Sequence, residues 1–213
     1  MTSKTEYTKQ VDSSHYAFSS YFFPARFMSY WYQIKEITSR PQITSVLDVG
    51  PGTDMLRCML QIHAPQITYT TVDIATDVKP DLIGSVTKLP LPDNAVDAAC
   101  AFQVLEHIEF ADFVPALLEL RRVSKQYVLI SLPHFGPSLE LHFKIPFLPR
   151  VRLACKVPWK QTHAFQGQHY WEIGKKGFSA QAIRAIMSEH FTIVDEYVPF
   201  ENQYHHFYIL AKK

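Results

Sequence analysis

The stretch from residue 46 to residue 54, VLDVGPGTD, constrains the fold more than any other part of the sequence. An apolar strand pattern runs into the turn Gly50-Pro51-Gly52, and an amphipathic segment begins near Asp54. Glycine lacks a Cβ atom and tolerates positive φ, so a ligand can come close to such a turn. A helix that starts there offers unpaired N–H groups. The stretch therefore predicts a strand, a turn and a helix that hold a nucleotide-type cofactor in an α/β sheet.

The spacing of the acidic residue and the glycines separates two classes of cofactor site. A dinucleotide fingerprint, G-x-G-x-x-G, requires a glycine where this chain has Met55. Asp48 instead gives the pattern D-x-G-x-G, which resembles motif I of the class I S-adenosylmethionine-dependent methyltransferases. That family's frequent third glycine is replaced here by Asp54. The resemblance implies S-adenosylmethionine as the cofactor and a site that includes Asp48, Gly50, Pro51 and Gly52.

A second acidic residue follows the next predicted strand, residues 67–72. Asp73 lies twenty-one residues after Gly52. This spacing places its carboxylate at the carboxyl end of the neighbouring strand, where it can accept hydrogen bonds from the ribose hydroxyls. We therefore include Asp73 and the adjacent Ile74 in the predicted cofactor site.

The block from residue 81 to residue 109, DLIGSVTKLPLPDNAVDAACAFQVLEHIE, resembles methyltransferases of the type 11 group. By that resemblance, Ser85 and Val86 lie against the adenine. Gln103 follows the predicted buried strand 95–102, at the sheet edge where ligands bind in open α/β folds, and is assigned to the cofactor site. The adjacent Glu106 and His107 suit proton chemistry or structural hydrogen bonding.

Strand and helix patterns alternate through the rest of the chain, and the last two predicted strands, 191–198 and 204–211, are separated only by a short turn. These two strands must pair antiparallel. By resemblance, the fold is a Rossmann-like doubly wound α/β sheet, mostly parallel, with a C-terminal antiparallel hairpin strand and the order 3-2-1-4-5-7-6. The 213 residues, 47% of them hydrophobic, predict one domain over residues 1–213.

Composition also bounds the cellular setting. Three separated cysteines without a C-x-x-C pair predict a reducing compartment. The first ten residues lack an apolar core, and no charge-free apolar run approaches the ~20 residues of a membrane helix. The sequence thus predicts a cytoplasmic protein. A formal net charge of +1 argues against a broadly basic nucleic-acid binder.

Nine aromatic residues fall between residues 15 and 32, and we predict that residues 15–40 form an aromatic lid over the cofactor. Helical spacing favours a core stripe made of Phe23, Phe27, Trp31 and Ile34. Tyr16, Tyr21 and Tyr30 lie off that stripe. We predict that Tyr21 and Tyr30 contact the substrate.

Residues 133–176 have no clear helix or strand period and are treated as a substrate-side insert. Seven basic and two acidic side chains concentrate positive charge there, and cations alternate with large apolar residues. This pattern predicts an irregular cover over an acceptor that is anionic and partly apolar, with possible contact to a membrane surface. The predicted substrate-binding residues of the insert are Arg150, Arg152, His169 and Trp171.

The histidines of this chain can serve as bases or as metal ligands. His134 directly follows the fifth strand, so it is the first candidate for a catalytic base, and His107 is the second. None of the histidine spacings in the insert matches a zinc site, so the sequence predicts no metal.

The resemblance implies a methyltransferase that acts on an unidentified small-molecule or lipid-linked acceptor. Methyl transfer from an activated sulfonium requires alignment and exclusion of water, with no covalent intermediate. Two alternatives stay open at this point. The protein could methylate RNA through its basic insert, or it could bind S-adenosylmethionine without catalysis.

Overall fold

The computed structural model describes residues 8–11, 13–147, 149–159, 161–165 and 167–213. Its centre is a seven-stranded sheet with the order β3-β2-β1-β4-β5-β9-β8. The strands are β1 Ser45–Val49, β2 Thr68–Asp73, β3 Leu82–Ile83, β4 Val96–Phe102, β5 Ser124–Pro133, β8 Phe191–Tyr197 and β9 His205–Lys212; the separate hairpin has β6 Ser138–Phe143 and β7 Val151–Lys156. Strands β1 to β5 run parallel, whereas β9 is antiparallel to both β5 and β8. The predicted fold class and sheet order are confirmed.

Helices cover both faces of this sheet. They are α1 Phe18–Tyr21, α2 Pro24–Thr38, α3 Met55–His63, α4 Phe113–Val123 and α5 Ala180–His190. Pro24 opens α2, where its missing N–H costs nothing. Ser179 caps α5 by accepting a hydrogen bond from the Ala182 N–H at 3.1 Å. No helix within the described ranges is both long and apolar enough to span a membrane.

Two apolar clusters lie on opposite faces because side chains alternate along each strand. Leu47, Ala99 and Ile130 point to the face covered by α4 and α5. Val46, Ala98 and Leu129 point to the face covered by α2 and α3. All seven residues of β4 are buried, which explains why its sequence is apolar without alternation.

The predicted core stripe of α2 is wrong for three of its four residues, whereas Ile34 is partly buried against the second apolar cluster. Phe23, Phe27 and Trp31 are 47%, 48% and 51% exposed. The helix instead turns inward a face of Ser29, Tyr30, Gln33, Glu36 and Ile37. Its polar groups have partners across the packing contact: Glu36 accepts from Tyr197 Oη at 2.8 Å, and Ser29 Oγ accepts from Asn202 Nδ2 at 2.9 Å. Satisfied hydrogen bonds thus decided which face was buried.

The insert is also more regular than the sequence analysis expected. Strands β6 and β7 pair antiparallel, with Leu141 opposite Leu153. The SLELHF stretch of β6 alternates polar and apolar residues at the period of two typical of a strand. The expectation of an irregular cover is therefore wrong for these twelve residues. Leu148, Lys160 and Gln166 of the insert lie outside the described residues.

Candidate active site

The turn after β1 adopts the left-handed backbone that its glycines permit. The φ angles of Gly50 and Gly52 are 70° and 60°. A Cβ atom on Gly50 would lie 2.7 Å from Val104 Cγ2, so only glycine fits there. Asp54, at the position of the family's third glycine, is also left-handed with φ 58°, and its Oδ1 accepts from Arg57 Nε at 3.0 Å. Aspartate is one of the few residues that tolerate this conformation, so the turn keeps its shape without the glycine.

A first cavity, which we name the edge cavity, follows the carboxyl ends of β1, β2 and β4. Its lining includes Gly50, Asp73, Ile74, Ser85, Val86 and Gln103, all of them predicted cofactor residues. Residues 8–11 and Tyr16 close its other side, and the Tyr16 ring lies 3.2 Å from where a Cβ on Gly52 would be. The N-terminal segment therefore covers the edge cavity.

The two carboxylates predicted for the cofactor differ in environment. Asp73 accepts from the Ala75 N–H at 2.8 Å, and burial raises its pKa. Asp48 is 4% exposed and accepts a hydrogen bond from Tyr69 Oη of the neighbouring strand β2. Burial raises the pKa of Asp48 to about 7, although the Tyr69 hydrogen bond opposes this. Asp48 thus supports the turn from within the sheet.

A second cavity, the inner cavity, shares Gly50, Gln103, Tyr16 and His107 with the edge cavity. It extends towards α1 and α2. Of the predicted residues, Asp48, Pro51, Gly52, Tyr21, Tyr30 and His169 line it. Residues that sequence reasoning did not assign also line it, among them Arg26, Glu106, Tyr204 and His205. The two cavities meet at the glycine turn.

Three titratable side chains, which we name the inner cluster, converge in this cavity: Glu106, His107 and His169. Glu106 is 0% exposed, and neither carboxylate oxygen has a hydrogen-bond partner among the described residues. Burial raises its pKa to about 7. Burial and the nearby His169 lower the pKa of His107 to about 4. Burial opposes protonation of His169, but Glu172, 2.7 Å away, and Glu106 raise its pKa overall.

Arg26 is the cation that faces the inner cavity. Its guanidinium carbon lies 4.1 Å from the centroid of the Tyr21 ring. Its Nε is buried and has no hydrogen-bond partner within the described part of the chain. Sequence reasoning missed Arg26 because it sits in the aromatic segment, and nothing local marks it as facing a cavity.

Four predicted residues lie outside both cavities. His134 stacks on His206, with 3.1 Å between their Nδ1 atoms, because β9 pairs over the end of β5. Trp171 is 0% exposed and packs on Phe113, so it belongs to the core. Arg150 and Arg152 lie at the hairpin, where Arg152 pairs with Glu201. These four residues therefore line neither cavity, contrary to the prediction that His134 is the base and that the other three bind the substrate.

Comparison with known proteins agrees with this architecture. Residues 47–130 match the type 11 family model described as a methyltransferase domain. A S-adenosylmethionine-dependent methyltransferase from Aquifex aeolicus superposes with a TM-score of 0.60 at 17% identity, over 95% of this chain and 100% of that one. The Burkholderia thailandensis 1,6-didemethyltoxoflavin-N1-methyltransferase, crystallised with bound 1,6-didemethyltoxoflavin and S-adenosylhomocysteine, superposes with a TM-score of 0.58 at 17% identity. The superposition covers 89% of this chain and 79% of that one.

One curated relative matches over a short segment. An uncharacterized methyltransferase of Schizosaccharomyces pombe is 51% identical over 43 residues, which are 20% of this chain and only 15% of that protein. Residues 47–130 therefore form a methyltransferase domain, and the chain has the class I S-adenosylmethionine-dependent methyltransferase fold. The predicted family and the predicted cofactor, S-adenosylmethionine, are confirmed.

Proposed function

We propose that the protein transfers the methyl group of S-adenosylmethionine to a small acceptor that is anionic and partly apolar. The observation that carries this proposal is the meeting of two cavities at the glycine turn. Gly50 and Gln103 line both cavities, so the methyl group of S-adenosylmethionine held in the edge cavity would face the inner cavity. The acceptor nucleophile forms the new bond to the methyl carbon as the sulfur–carbon bond breaks, and S-adenosylhomocysteine leaves.

The edge cavity fits the cofactor group by group. Asp73 accepts from the ribose hydroxyls, and Ser85 and Val86 lie against the adenine. The glycine turn lets the amino-acid part approach the backbone. Tyr16, whose ring is half-buried, supplies an aromatic wall that suits the sulfonium. Because the sulfonium is already activated, alignment and a dry cavity are the main requirements.

The inner cavity supplies the acceptor side. Arg26 binds the anionic group, and Tyr21 and Tyr30 provide aromatic walls for the apolar part. The inner cluster takes the proton of an acceptor that carries one. It replaces His134 as the base because His134 lies outside this cavity. An acceptor of this kind is favoured over RNA, since no lysine or arginine in the described part of the insert lines either cavity.

Calorimetry with S-adenosylhomocysteine tests the cofactor site. Asp73→Ala should weaken binding by about 1–3 kcal/mol, the loss of charge-assisted hydrogen bonds. Asp195→Ala, at an exposed carboxylate on β8, is the matched control and should change nothing. Tight binding of NADH without binding of S-adenosylhomocysteine would overturn the proposal.

Turnover needs a separate experiment because the acceptor is unidentified. The protein is incubated with methyl-labelled S-adenosylmethionine and a metabolite extract, and the products are separated by charge and by solubility in organic solvent. Label should enter anionic, organic-soluble compounds, and Arg26→Gln should reduce it. Label in RNA would exclude the proposed acceptor class. Binding of cofactor with no labelled product would support the non-catalytic alternative.

A further inference from the structure

Glu106 is a buried carboxylate that no other group in the described part of the protein compensates by a hydrogen bond. It is fully buried, and both of its carboxylate oxygens lack hydrogen-bond partners among the described residues. A buried, unpaired carboxylate costs several kcal/mol, which a bound cation would offset. The ligand atoms of Glu106, His107 and His169 all lie within 4.8 Å of one another.

Neighbouring groups orient both histidines as ligands. Nδ1 of His169 donates to Glu172 Oε1 at 2.7 Å, so the lone pair belongs to Nε2. Glu172 is held in turn by Tyr204 Oη at 2.9 Å. Nδ1 of His107 donates to Gln10 Oε1 at 2.6 Å, which again leaves the lone pair on Nε2. A carboxylate or amide oxygen behind a histidine is the usual outer support of a metal-binding imidazole.

The geometry is near that of a bound ion. Ligand atoms about 2.1 Å from a tetrahedral metal are about 3.4 Å apart. Closing the present separations requires shifts of under about 1 Å for each atom, which side-chain rotation supplies. Two imidazoles and one carboxylate form a donor set that zinc and its first-row neighbours prefer, whereas Mg²⁺ and Ca²⁺ prefer oxygen.

We propose that the inner cluster binds one divalent first-row transition-metal ion of the Zn²⁺ type. The site reverses the expectation, drawn from histidine spacing, that the protein binds no metal. Its ligands come from the turn after β4 and from the insert, so no local motif reveals them. With the ion bound, Glu106, His107 and His169 are ligands and no longer act as the base. All three line the inner cavity, so the ion's remaining coordination position would bind an oxygen of the acceptor proposed above and lower its pKa instead.

Titration of the metal-free protein with Zn²⁺, followed by calorimetry, tests the site without any methyl transfer. One ion should bind per chain. Glu106→Gln and His169→Ala should each weaken binding at least about tenfold, and Glu172→Gln should weaken it about 10–100-fold. Glu106→Gln should also fold well, because it removes a buried charge. Mg²⁺ should bind far more weakly than Zn²⁺.

His142→Ala is the matched control, since this histidine is exposed on the hairpin. It should bind Zn²⁺ as the unaltered protein does. The proposal is overturned if no Zn²⁺ binds, or if affinity is the same in Glu106→Gln, His169→Ala and the control. Because the readout is metal binding, it fails or succeeds independently of cofactor binding and of the acceptor.

A second inference comes independently from the hairpin β6–β7, which exposes a continuous apolar face. Residues opposite one another in an antiparallel pair share a face. One face therefore carries Leu139, Leu141, Phe143, Val151, Leu153 and Cys155, all exposed. The other face is also exposed but is mostly polar: there Arg152 pairs with Glu201, and Lys156 Nζ donates to the Gly136 carbonyl at 2.8 Å.

The connection between the two strands continues this apolar surface. Ile145 is 53% exposed and Phe147 is fully exposed. Lys144 and Arg150 flank them, and neither forms an ion pair with another described residue. Apolar side chains that project beside unpaired cations fit the acyl region and the phosphate groups of an anionic bilayer. A second copy of the chain would bring like charges together.

We infer that this hairpin docks on the surface of a bilayer that contains anionic lipids. Binding is measured by sedimentation of the protein with vesicles, made either of phosphatidylcholine alone or of phosphatidylcholine mixed with phosphatidylglycerol. The protein should bind the mixed vesicles, and binding should fall with salt. The double change Ile145→Ser and Phe147→Ser should reduce binding at least about tenfold, as should Lys144→Gln with Arg150→Gln.

Ile62→Ser is the matched control, because Ile62 is 70% exposed on α3, away from the hairpin. It should leave vesicle binding unchanged. The inference is overturned if the unaltered protein does not bind the mixed vesicles, or if the control loses as much binding as the double variant. It is also overturned if light scattering shows a dimer that the Ile145 and Phe147 changes abolish.

Discussion

The edge cavity and the inner cavity share a wall but are built in different ways. The edge cavity is made of strand ends and the turns that follow them, each contained in a short stretch of sequence. The inner cavity collects side chains from α1, α2, the turn after β4, the insert and the start of β9. All nine predicted cofactor residues line one of the two cavities, whereas Trp171, Arg150 and Arg152 line neither. Tyr21, Tyr30, His107 and His169, predicted for the acceptor side, do line the inner cavity, so the sequence indicated part of this site and all of the backbone-shaped one.

The two cavities also differ in how their charges are satisfied. Asp73 in the edge cavity accepts from a backbone N–H, and Asp48, which lines the inner cavity beside the glycine turn, accepts from Tyr69 Oη. In the inner cavity, Glu106, Arg26 Nε and His205 Nδ1 are buried without partners among the described residues. Unsatisfied buried polar groups are rare in native proteins and mark places where a ligand completes the structure. The acceptor side is therefore the part that ligands should stabilise most.

The largest expected effect is on stability, at two tryptophans. The sequence analysis predicted Trp171 for the substrate and Trp31 for the core, and the structure shows Trp171 buried and Trp31 exposed. Trp171, assigned to the substrate, packs in the core at 4.9 Å from the Phe113 ring. Trp171→Ala should lower the free energy of unfolding by about 3–5 kcal/mol, the usual cost of emptying a buried aromatic site. Trp31→Ala, in the predicted core stripe, should cost under about 1 kcal/mol because Trp31 is exposed. Urea unfolding measures both, and equal losses would contradict the assignment.

The next effect tests whether the edge cavity depends on backbone shape. Gly50→Ala combines positive φ with a close contact to Val104, so S-adenosylhomocysteine binding should weaken by about 2–3 kcal/mol. Gly177→Ala is the control: its φ is 93°, but a Cβ there meets nothing within 4 Å. The control should lose some stability and keep its affinity. If calorimetry finds that both variants bind S-adenosylhomocysteine equally weakly, backbone strain and not the close contact at Gly50 governs binding.

The burial of His205 in the inner cavity should make the stability of the protein depend on pH. Burial and the nearby Arg26 lower the pKa of His205 to about 3. Below the ordinary histidine pKa of about 6.5, the unfolded chain binds a proton that the folded protein refuses, so stability falls as the pH drops. One such proton gives a slope of about 1.4 kcal/mol per pH unit. His205→Gln should reduce the slope by up to that amount in urea unfolding between about pH 6 and pH 4. An unchanged slope would place His205 in contact with solvent.

The smallest effect concerns the replaced glycine of the turn. Asp54→Gly relieves a left-handed aspartate but removes the ion pair with Arg57 at 2.8 Å. The two contributions oppose each other, so stability should change by less than about 1 kcal/mol. S-adenosylhomocysteine affinity should stay within about threefold, because the turn already has the shape that glycine would give. A larger loss of affinity would give the Asp54 carboxylate a direct role at the cofactor.

The sequence by itself determined where most strands, the helices and the glycine turn lie, whereas the sheet order and the adenine contacts were what the family resemblance implied. Strand burial, helix periodicity and positive φ at Gly50 and Gly52 are local properties, written in consecutive residues. The strand β3, with two residues, was too short to leave such a pattern. The hairpin β6–β7 did leave one, an alternation hidden among its prolines and cations.

Only the tertiary structure decided which side chains face the acceptor. Arg26 and His205 are 179 positions apart in the chain, yet both line the inner cavity. The burial of α2 was set by partners such as Tyr197 and Asn202, more than 160 residues away. Contacts of this kind depend on how elements pack and on which polar groups become satisfied there. A single sequence carries no local signal for either, because the deciding atoms belong to residues that meet only after folding.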